Sequence, residues 1–468
     1  MLTHTTGSRN IAIGYGAMDD TDQGGATLGS IDNIFIGSDA GGGTWTSAAV
    51  QYNVGIGTYA LDSALNGALG HTAVGYGALS AVTTGDYNVA VGYTAGDALT
   101  SGGRNIMIGK GALTTATTAV LNVAIGTSVM ELVPADVALS SCVAIGKDAF
   151  QGAAATTTGA DGTIAIGYQA LQDLTTAGSN IAIGYQAMLE HTTGAGNIAI
   201  GYQAMDDTDQ GANTLASIDN TFIGVDSGGG TWTTNAMSYN IGVGNGTLAG
   251  AMNGAIGNVG VGRQALAAVT TGTYNTALGY RSGYLITTGT QNTLIGYLAG
   301  DGLDTRIGNV AIGSGALGAG SNAVDYAVAV GKDAMALTAN NGASNSVAVG
   351  FQALYSLTSG QGNIGIGAYA MKGVTTGGHN IGIGQASCGG DADTSMTGDY
   401  NICIGYQSGK ELVGNDSNSN IAIGFEAMKV FTAGARNMAI GTAAMGGAIV
   451  DDGLESIDNI FIGFNAGG

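Results

Sequence analysis

An all-β parallel solenoid of about 25 coils is the fold this sequence predicts, on three observations. A phrase ending in glycine recurs 25 times, from Gly14 through Gly37, Gly57 and Gly75 to Gly463. The interval is shortest in runs such as Gly167, Gly184 and Gly201, and longest from Gly14 to Gly37 and from Gly201 to Gly224. The residue three before that glycine is β-branched in 24 of the 25 copies, as in Ile11, Val54, Thr72 and Ile181, with Met438 the exception. Composition supplies the third observation: 86 glycines, one proline and only 10% charged side chains in 468 residues. Self-similarity at a short period marks stacked architectures, in which each repeat buries its faces on its neighbours. Seventeen residues is then the minimal coil, and a longer interval is a coil carrying an insertion.

The elements of one coil follow in order. Ile, Val or Leu always stands one before the glycine. With the β-branched site two residues earlier it forms one side of a short strand, because alternate strand residues share a face. That side is expected to point into the coil. Period two and the glycine load exclude helix. The residue between the two is Ala or Gly in 19 of 25 copies, with Phe35, Met107, Phe222, Leu294, Cys403 and Phe461 departing. Small residues on the other side of a strand point to close packing against a second chain. The column that includes Ala12, Ala182, Ala199, Gly242, Gly365 and Ala422 is therefore expected to form a subunit interface, around a three-fold axis in a homotrimer. The glycine suits a corner that needs positive φ. A small residue follows three positions later (Ala17, Ala170, Ala187, Ser227), and then Met, Leu or another glycine. Asn precedes the strand in 20 of 25 copies, where stacked amides can form a hydrogen-bonded ladder.

Above the coil lies a larger repeat. The 35 residues from Ile13 return from Ile200 with 27 identities, an offset of 187. Residues 13–126 thus reappear as 200–313, and a third partial copy runs from about residue 440, with "SIDNIFIG" at Ser456. Duplication of blocks of coils predicts one continuous solenoid over residues 1–468. The chain begins inside one "TTG…N" segment and stops just after "IGFNAGG". Bare terminal coils are expected either to continue in a longer fibre or to stack end to end.

Charge narrows the function. A formal charge of −21 repels phosphate backbones, which argues against a nucleic-acid partner. "MLTHTTGSRN" lacks the apolar stretch of a signal peptide, and no run of residues is apolar for long enough to span a bilayer. Cys142, Cys388 and Cys403 have no metal-ligand spacing, and Cys142 and Cys403 occupy repeat positions, so they read as small apolar residues. The histidines His4, His71, His191 and His379 are scattered, none paired with a nucleophile in a recurring block. The Gly-x-Gly strings are repeat corners without a following helix. An enzyme is not expected, nor a cofactor beyond calcium.

"NIAIGYQAM" at Asn180 and Asn197, and "NSVAVGFQAL" at Asn345, resemble the head repeats of trimeric autotransporter adhesins of the YadA type. "NTALGY", from Asn275 to Tyr280, also looks like repeats of phage tail fibres. The resemblance covers essentially the whole chain. It implies a left-handed parallel β-roll, a homotrimer, and an extracellular or virion-associated place.

Three sets of residues stand as candidates beside plainer readings. Tyr or Phe follows the repeat glycine in 12 of 25 copies, including Tyr76, Tyr168, Tyr185 and Tyr202. These are either a sugar-stacking ladder or coil-to-coil stacking, and the second is the simpler. Trp45 and Trp232, in equivalent "GGGTWT" insertions, suit contact with a cell-surface glycan, although duplication alone explains their pairing. "DDTDQG" recurs, and Asp20, Asp22 and Asp32, with Asp207, Asp209 and Asp219, partly resemble a calcium loop; solvated turns are the plainer reading. The expected function is a non-catalytic structural or adhesive fibre shaft whose insertions serve as surface-recognition loops. A filament of end-to-end stacked subunits is the alternative. Binding to ice or a crystal surface through the recurrent "TTG" ranks last.

Overall fold

The computed structural model describes residues 7–467 other than 20–28, 46–47, 136, 153–158, 207–216, 232–234, 319–323, 338–342, 390–394, 415–416, 433 and 447–455. Residues 1–238 and 239–468 form two compact units, and each is a parallel β-solenoid. The first stacks twelve three-residue strands, from Ile11–Ile13 to Thr221–Ile223; the second stacks thirteen, from Ile241–Val243 to Ile460–Ile462. No helix occurs among the described residues. A minor pair, Gly434–Ala435 with Ser456–Ile457, adds a second short ladder at one corner.

Register follows the sequence columns. Ile181, Ala182 and Ile183 face Ile198, Ala199 and Ile200 across a coil of minimal length. Those in turn face Thr221, Phe222 and Ile223 across a coil that carries an insertion. Insertion therefore lengthens a coil without shifting the pairing, as the floor on the repeat interval predicts. The backbone bonds alternate between neighbours: the Ile181 amide donates to Asn197 in the next coil (2.8 Å), and the Gly184 amide to Ile166 in the previous one (2.8 Å).

The repeat glycine is fixed by crowding. Gly184 has φ +140°, and a Cβ there would lie 2.2 Å from the carbonyl oxygen of Gly201 in the next coil. Residues other than glycine also take the left-handed conformation, as Gln186 (φ 54°) and Met188 (φ 53°) do. An isolated positive φ costs a non-glycine residue free energy. Here each is held by a bond to a neighbouring coil: Gln186 N–H to Tyr168 at 2.9 Å, and Met188 N–H to Ala204 at 2.9 Å.

The Asn column is a continuous amide ladder within the runs where Asn repeats. Asn53 donates its side-chain amide to Asn33 Oδ1 (3.1 Å) and to the Ala68 carbonyl (3.1 Å), while its backbone N–H also reaches Asn33 Oδ1 (3.0 Å). The left-handed residue at this corner is the one before Asn, such as Tyr52 (φ 61°) or Ser179 (φ 61°), rather than Asn itself.

Strand orientation corrects the expectation from sequence. Ala182, Ala199 and Ala422 have no exposed surface and Gly242 and Gly365 are buried, all within their own chain. Ala12, in the first strand, is half-buried. The small column fills the inside of the coil, so it is not a surface for another subunit. The physical reason is volume. Met188, Leu171 and their equivalents, four residues after each glycine, point inward and leave room only for Ala or Gly opposite. Where the middle residue is large, a left-handed position beside it shrinks to glycine. A Cβ on Gly41 would lie 2.6 Å from the Phe35 ring, one on Gly228 2.7 Å from Phe222, and one on Gly300 2.6 Å from Leu294. The aliphatic pair on either side of the small residue points outward.

Candidate functional site

Four outward columns run along the sheet side of each unit. The inner two are the aliphatic pair, exemplified by Ile106 and Ile108, each exposed on the flank of a buried Met107. One outer column precedes the Asn ladder and includes Tyr52, Tyr87, Tyr274 and Tyr400, all exposed. The other follows the repeat glycine and holds the tyrosines read from the sequence.

Those tyrosines stack coil on coil. Tyr168 and Tyr185 have ring centroids 5.2 Å apart with 19° between planes; Tyr185 and Tyr202 are 5.1 Å apart at 6°. Tyr76 with Tyr93, and Tyr280 with Tyr297, repeat the arrangement. Because the faces cover one another, solvent meets mainly ring edges, which favours stacking that stiffens the coil over a platform for sugar rings. Cations cap these runs. Lys147 lies over Tyr168 (5.4 Å), Arg263 over Tyr280 (5.9 Å) and Lys332 over Phe351 (5.9 Å).

The other candidates fare differently. Trp45 is fully buried, packed against Phe35 at 6.0 Å, so it contributes to the core and is closed to a glycan. The Phe35 ring gives it an apolar neighbour that the glycines of "GGGTWT" do not suggest. Trp232 lies outside the described residues, as do Asp20, Asp22, Asp207 and Asp209. Asp32 accepts two hydrogen bonds from Arg9, at 2.6 and 2.8 Å. It is half-buried and Asp219 is exposed, both in the column before the Asn ladder. Among the described residues no three His, Cys, Asp or Glu side chains gather in a way that would hold a metal ion.

Cys142, Cys388 and Cys403 are buried free thiols. Cys142 takes a place in the Asn ladder, where burial pushes its thiol up to about 11. His71 takes another, its Nδ1 facing the Asn88 amide at 3.2 Å and its Nε2 the Gly85 carbonyl at 2.6 Å. His379 stacks on Tyr400 at 5.3 Å. A cleft of about 440 Å³ is lined by Leu285, Thr287, Asp301 and Asp304 among others. The Thr287 hydroxyl donates to the Asp304 carboxylate there, and Asp301 stands beside apolar and small residues.

His191 gives a pH prediction. It is fully buried beside the Gly194 carbonyl (3.2 Å) and the Asn197 side chain (3.5 Å), and burial lowers its pKa to about 4. The unfolded value is near 6.5. The stability it contributes is thus present above pH ~6.5 and lost as pH falls towards 4, by up to about 3 kcal/mol. Asp62 acts oppositely, since burial and then Asp39 raise it to about 6, but it is largely solvated and its effect is discounted. Denaturant midpoints at pH 7 and pH 4.5 are expected to differ less in His191→Leu than in the parent. An equal difference in both would remove His191 from the account.

No family model and no curated protein matches the chain.

The outward aliphatic face was not foreseen from sequence. The signal for it was present: five of the six large residues in the small column have glycine rather than Met or Leu six positions later in their own coil, as Phe35 has Gly41 and Cys403 has Gly409. Such exchange of volume is expected only between side chains that share one interior.

Proposed function

We propose that the protein is a non-catalytic, self-associating fibre shaft, extracellular or carried on a virion. The observation that carries this reading is the outward face: an uncharged pair in row after row, aliphatic except for Met438 and for Thr72, Thr221, Thr276 and Thr293. Parallel sheets are ordinarily covered on both faces. A surface of this kind, repeated row by row, suits a molecule whose work is extension and association. The resemblance to adhesin heads and tail fibres supports the same reading.

Recognition by inserted loops stays in the proposal only for insertions outside the described residues, because Trp45 is buried. Binding to ice loses support, since the corner threonines are already engaged. Thr83 and Thr100 donate their hydroxyls to carbonyls of the next coil, at 3.1 and 3.0 Å. Negative-stain images of the purified protein test the proposal. Elongated particles, singly or joined end to end, are expected; compact globules would end it.

A further inference from the structure

We infer that the outward aliphatic face docks on the same face of a second copy of this chain. The inference deepens the fibre reading and rests on it for the idea of association, but it names the surface and the partner.

Hydropathy comes first. Inside each coil the sheet is covered by its own chain, whereas the pair at Ile106 and Ile108 is 39% and 38% exposed. No charged residue occurs at either inner column in any of the 25 rows. A sheet face meant for water is rich in polar side chains, whereas the inner columns here carry one, always Thr, in only four of 25 rows.

Area is sufficient. Twelve or thirteen strands at about 4.8 Å, and five residues of extended chain across, give each unit a face of roughly 60 by 15 Å, or roughly 900 Å². A stable interface takes about 800 Å² from each partner.

Charge is arranged for close approach. The column after the glycine contains Lys110, Lys147, Arg263 and Lys332 and no acid. The column before the Asn ladder contains Arg9, Arg104 and Arg436 against Asp32, Asp219 and Asp458. Two of those pairs neutralise each other within the column, Arg9 with Asp32 at 2.6 Å and Arg436 with Asp458 at 2.7 Å. Taken over the two units, the four columns hold seven of 12 cations and three of 33 acids, and Lys147 and Lys332 are paired with Asp148 (3.0 Å) and Asp333 (4.0 Å) just outside them. With most of the 33 acids off these columns and four of the seven cations paired to a neighbouring carboxylate, little net charge of either sign opposes the approach of a second copy of the same face.

The partner must also match the row spacing. Short and long coils alike place their strands in one register, so insertions leave the face of each unit unbroken. Continuity over a dozen rows gives no advantage against a compact partner of different shape. It serves a partner with the same repeat, which a second copy has by construction, and small row-by-row contacts then add along the stack.

The test uses the full chain. Light scattering coupled to size exclusion is expected to give the parent a mass that is a multiple of 45.9 kDa. The variant Ile181→Lys/Ile183→Lys/Ile198→Lys/Ile200→Lys should fall to a single chain, with its β-sheet circular dichroism retained. Asp173→Lys, at an exposed site outside the four columns, should assemble like the parent. Should the lysine variant misfold, cysteine placed at Ile183 gives the second measurement: a short bismaleimide should link two copies through it, and not through cysteine placed at Asp173. The native cysteines are buried and give the background. An assembled lysine variant, or linkage at 173 and not at 183, overturns the face while leaving the fibre reading intact. A parent that stays a single chain overturns the inference together with the self-association in the proposed function, and the images described above then judge the extended-shaft part of that reading separately.

Discussion

Phe222→Ala and Gly228→Leu are each expected to destabilise the first unit, and together to cost much less than their sum. Phe222 has no exposed surface, and its ring occupies the space a Cβ on Gly228 would need, at 2.7 Å. Removing the ring opens a cavity, worth about 3–5 kcal/mol for a Phe→Ala change in a core. Adding Leu beside the intact ring overpacks the coil, which typically costs about 1–3 kcal/mol. The double variant has the pair used by most coils, Ala with Leu or Met, as at Ala182 and Met188. Backbone strain does not forbid it, because Met205 and Leu248 occupy the same column at φ 57° and 50°. A double-mutant cycle in denaturant should therefore return a favourable coupling of about 1–3 kcal/mol. Strictly additive effects would mean that the two residues do not share a volume, and the interior placement of the small column would lose its main support.

That placement is where reading the sequence succeeded and failed at once. The strand, its parallel stacking, the register and the Asn ladder were legible because each is a column with one chemical preference: β-branched, glycine or amide. Which side of the strand faces inward was not legible from those columns alone. Aliphatic residues flanking Ala182 ordinarily mark the core, and the inference inverted because this chain fills its interior from elsewhere in the coil, with Leu171 and Met188. Their left-handed backbone concealed the role, since Met and Leu seldom occupy positive φ. Interchange of glycine with Met or Leu in that column was the available sign. Trp45 was misplaced for a related reason. Its glycine-rich surroundings suggested exposure, but the neighbouring Phe35, one of the exceptions in the small column, offers the ring a dry contact. The sites on "DDTDQG" depended on long insertions, and side-chain geometry there is not dictated by the repeat.

Asn197→Ala is expected to cost several kcal/mol, more than Asn197→Ser. Asn197 Oδ1 accepts from the backbone N–H of Asn220 (3.1 Å) and from its side-chain amide (3.0 Å). Its own amide donates to Asn180 Oδ1 (3.2 Å) and to the Ser217 carbonyl (2.7 Å). Alanine takes these bonds from Asn220 and from the Ser217 carbonyl, in an interior that admits no water to replace them. Each buried polar group left unsatisfied costs about 1–3 kcal/mol. Adjacent rungs polarise one another, so the loss extends beyond the bonds counted. The chain's own exceptions indicate which change is tolerated. Ser346 takes one rung and its hydroxyl accepts from the Asn363 amide at 3.1 Å. Ala327 takes another, and the next rung is that same Ser346, which brings no side-chain amide in search of an acceptor. Cys142 is likewise followed by Thr163. Two of the five non-Asn rungs are thus followed by a rung without a side-chain amide, while Asn88, Asn180 and Asn363, which follow His71, Thr163 and Ser346, turn their side-chain amides to backbone carbonyls; the Asn220 amide, by contrast, uses Asn197 Oδ1. Unfolding midpoints for the two variants decide the matter, with hydrogen exchange at the Asn220 amide as a local readout. Protection there should fall in Asn197→Ala and be partly kept in Asn197→Ser. If alanine matches the parent in both measurements, the amides follow the stack and do not hold it.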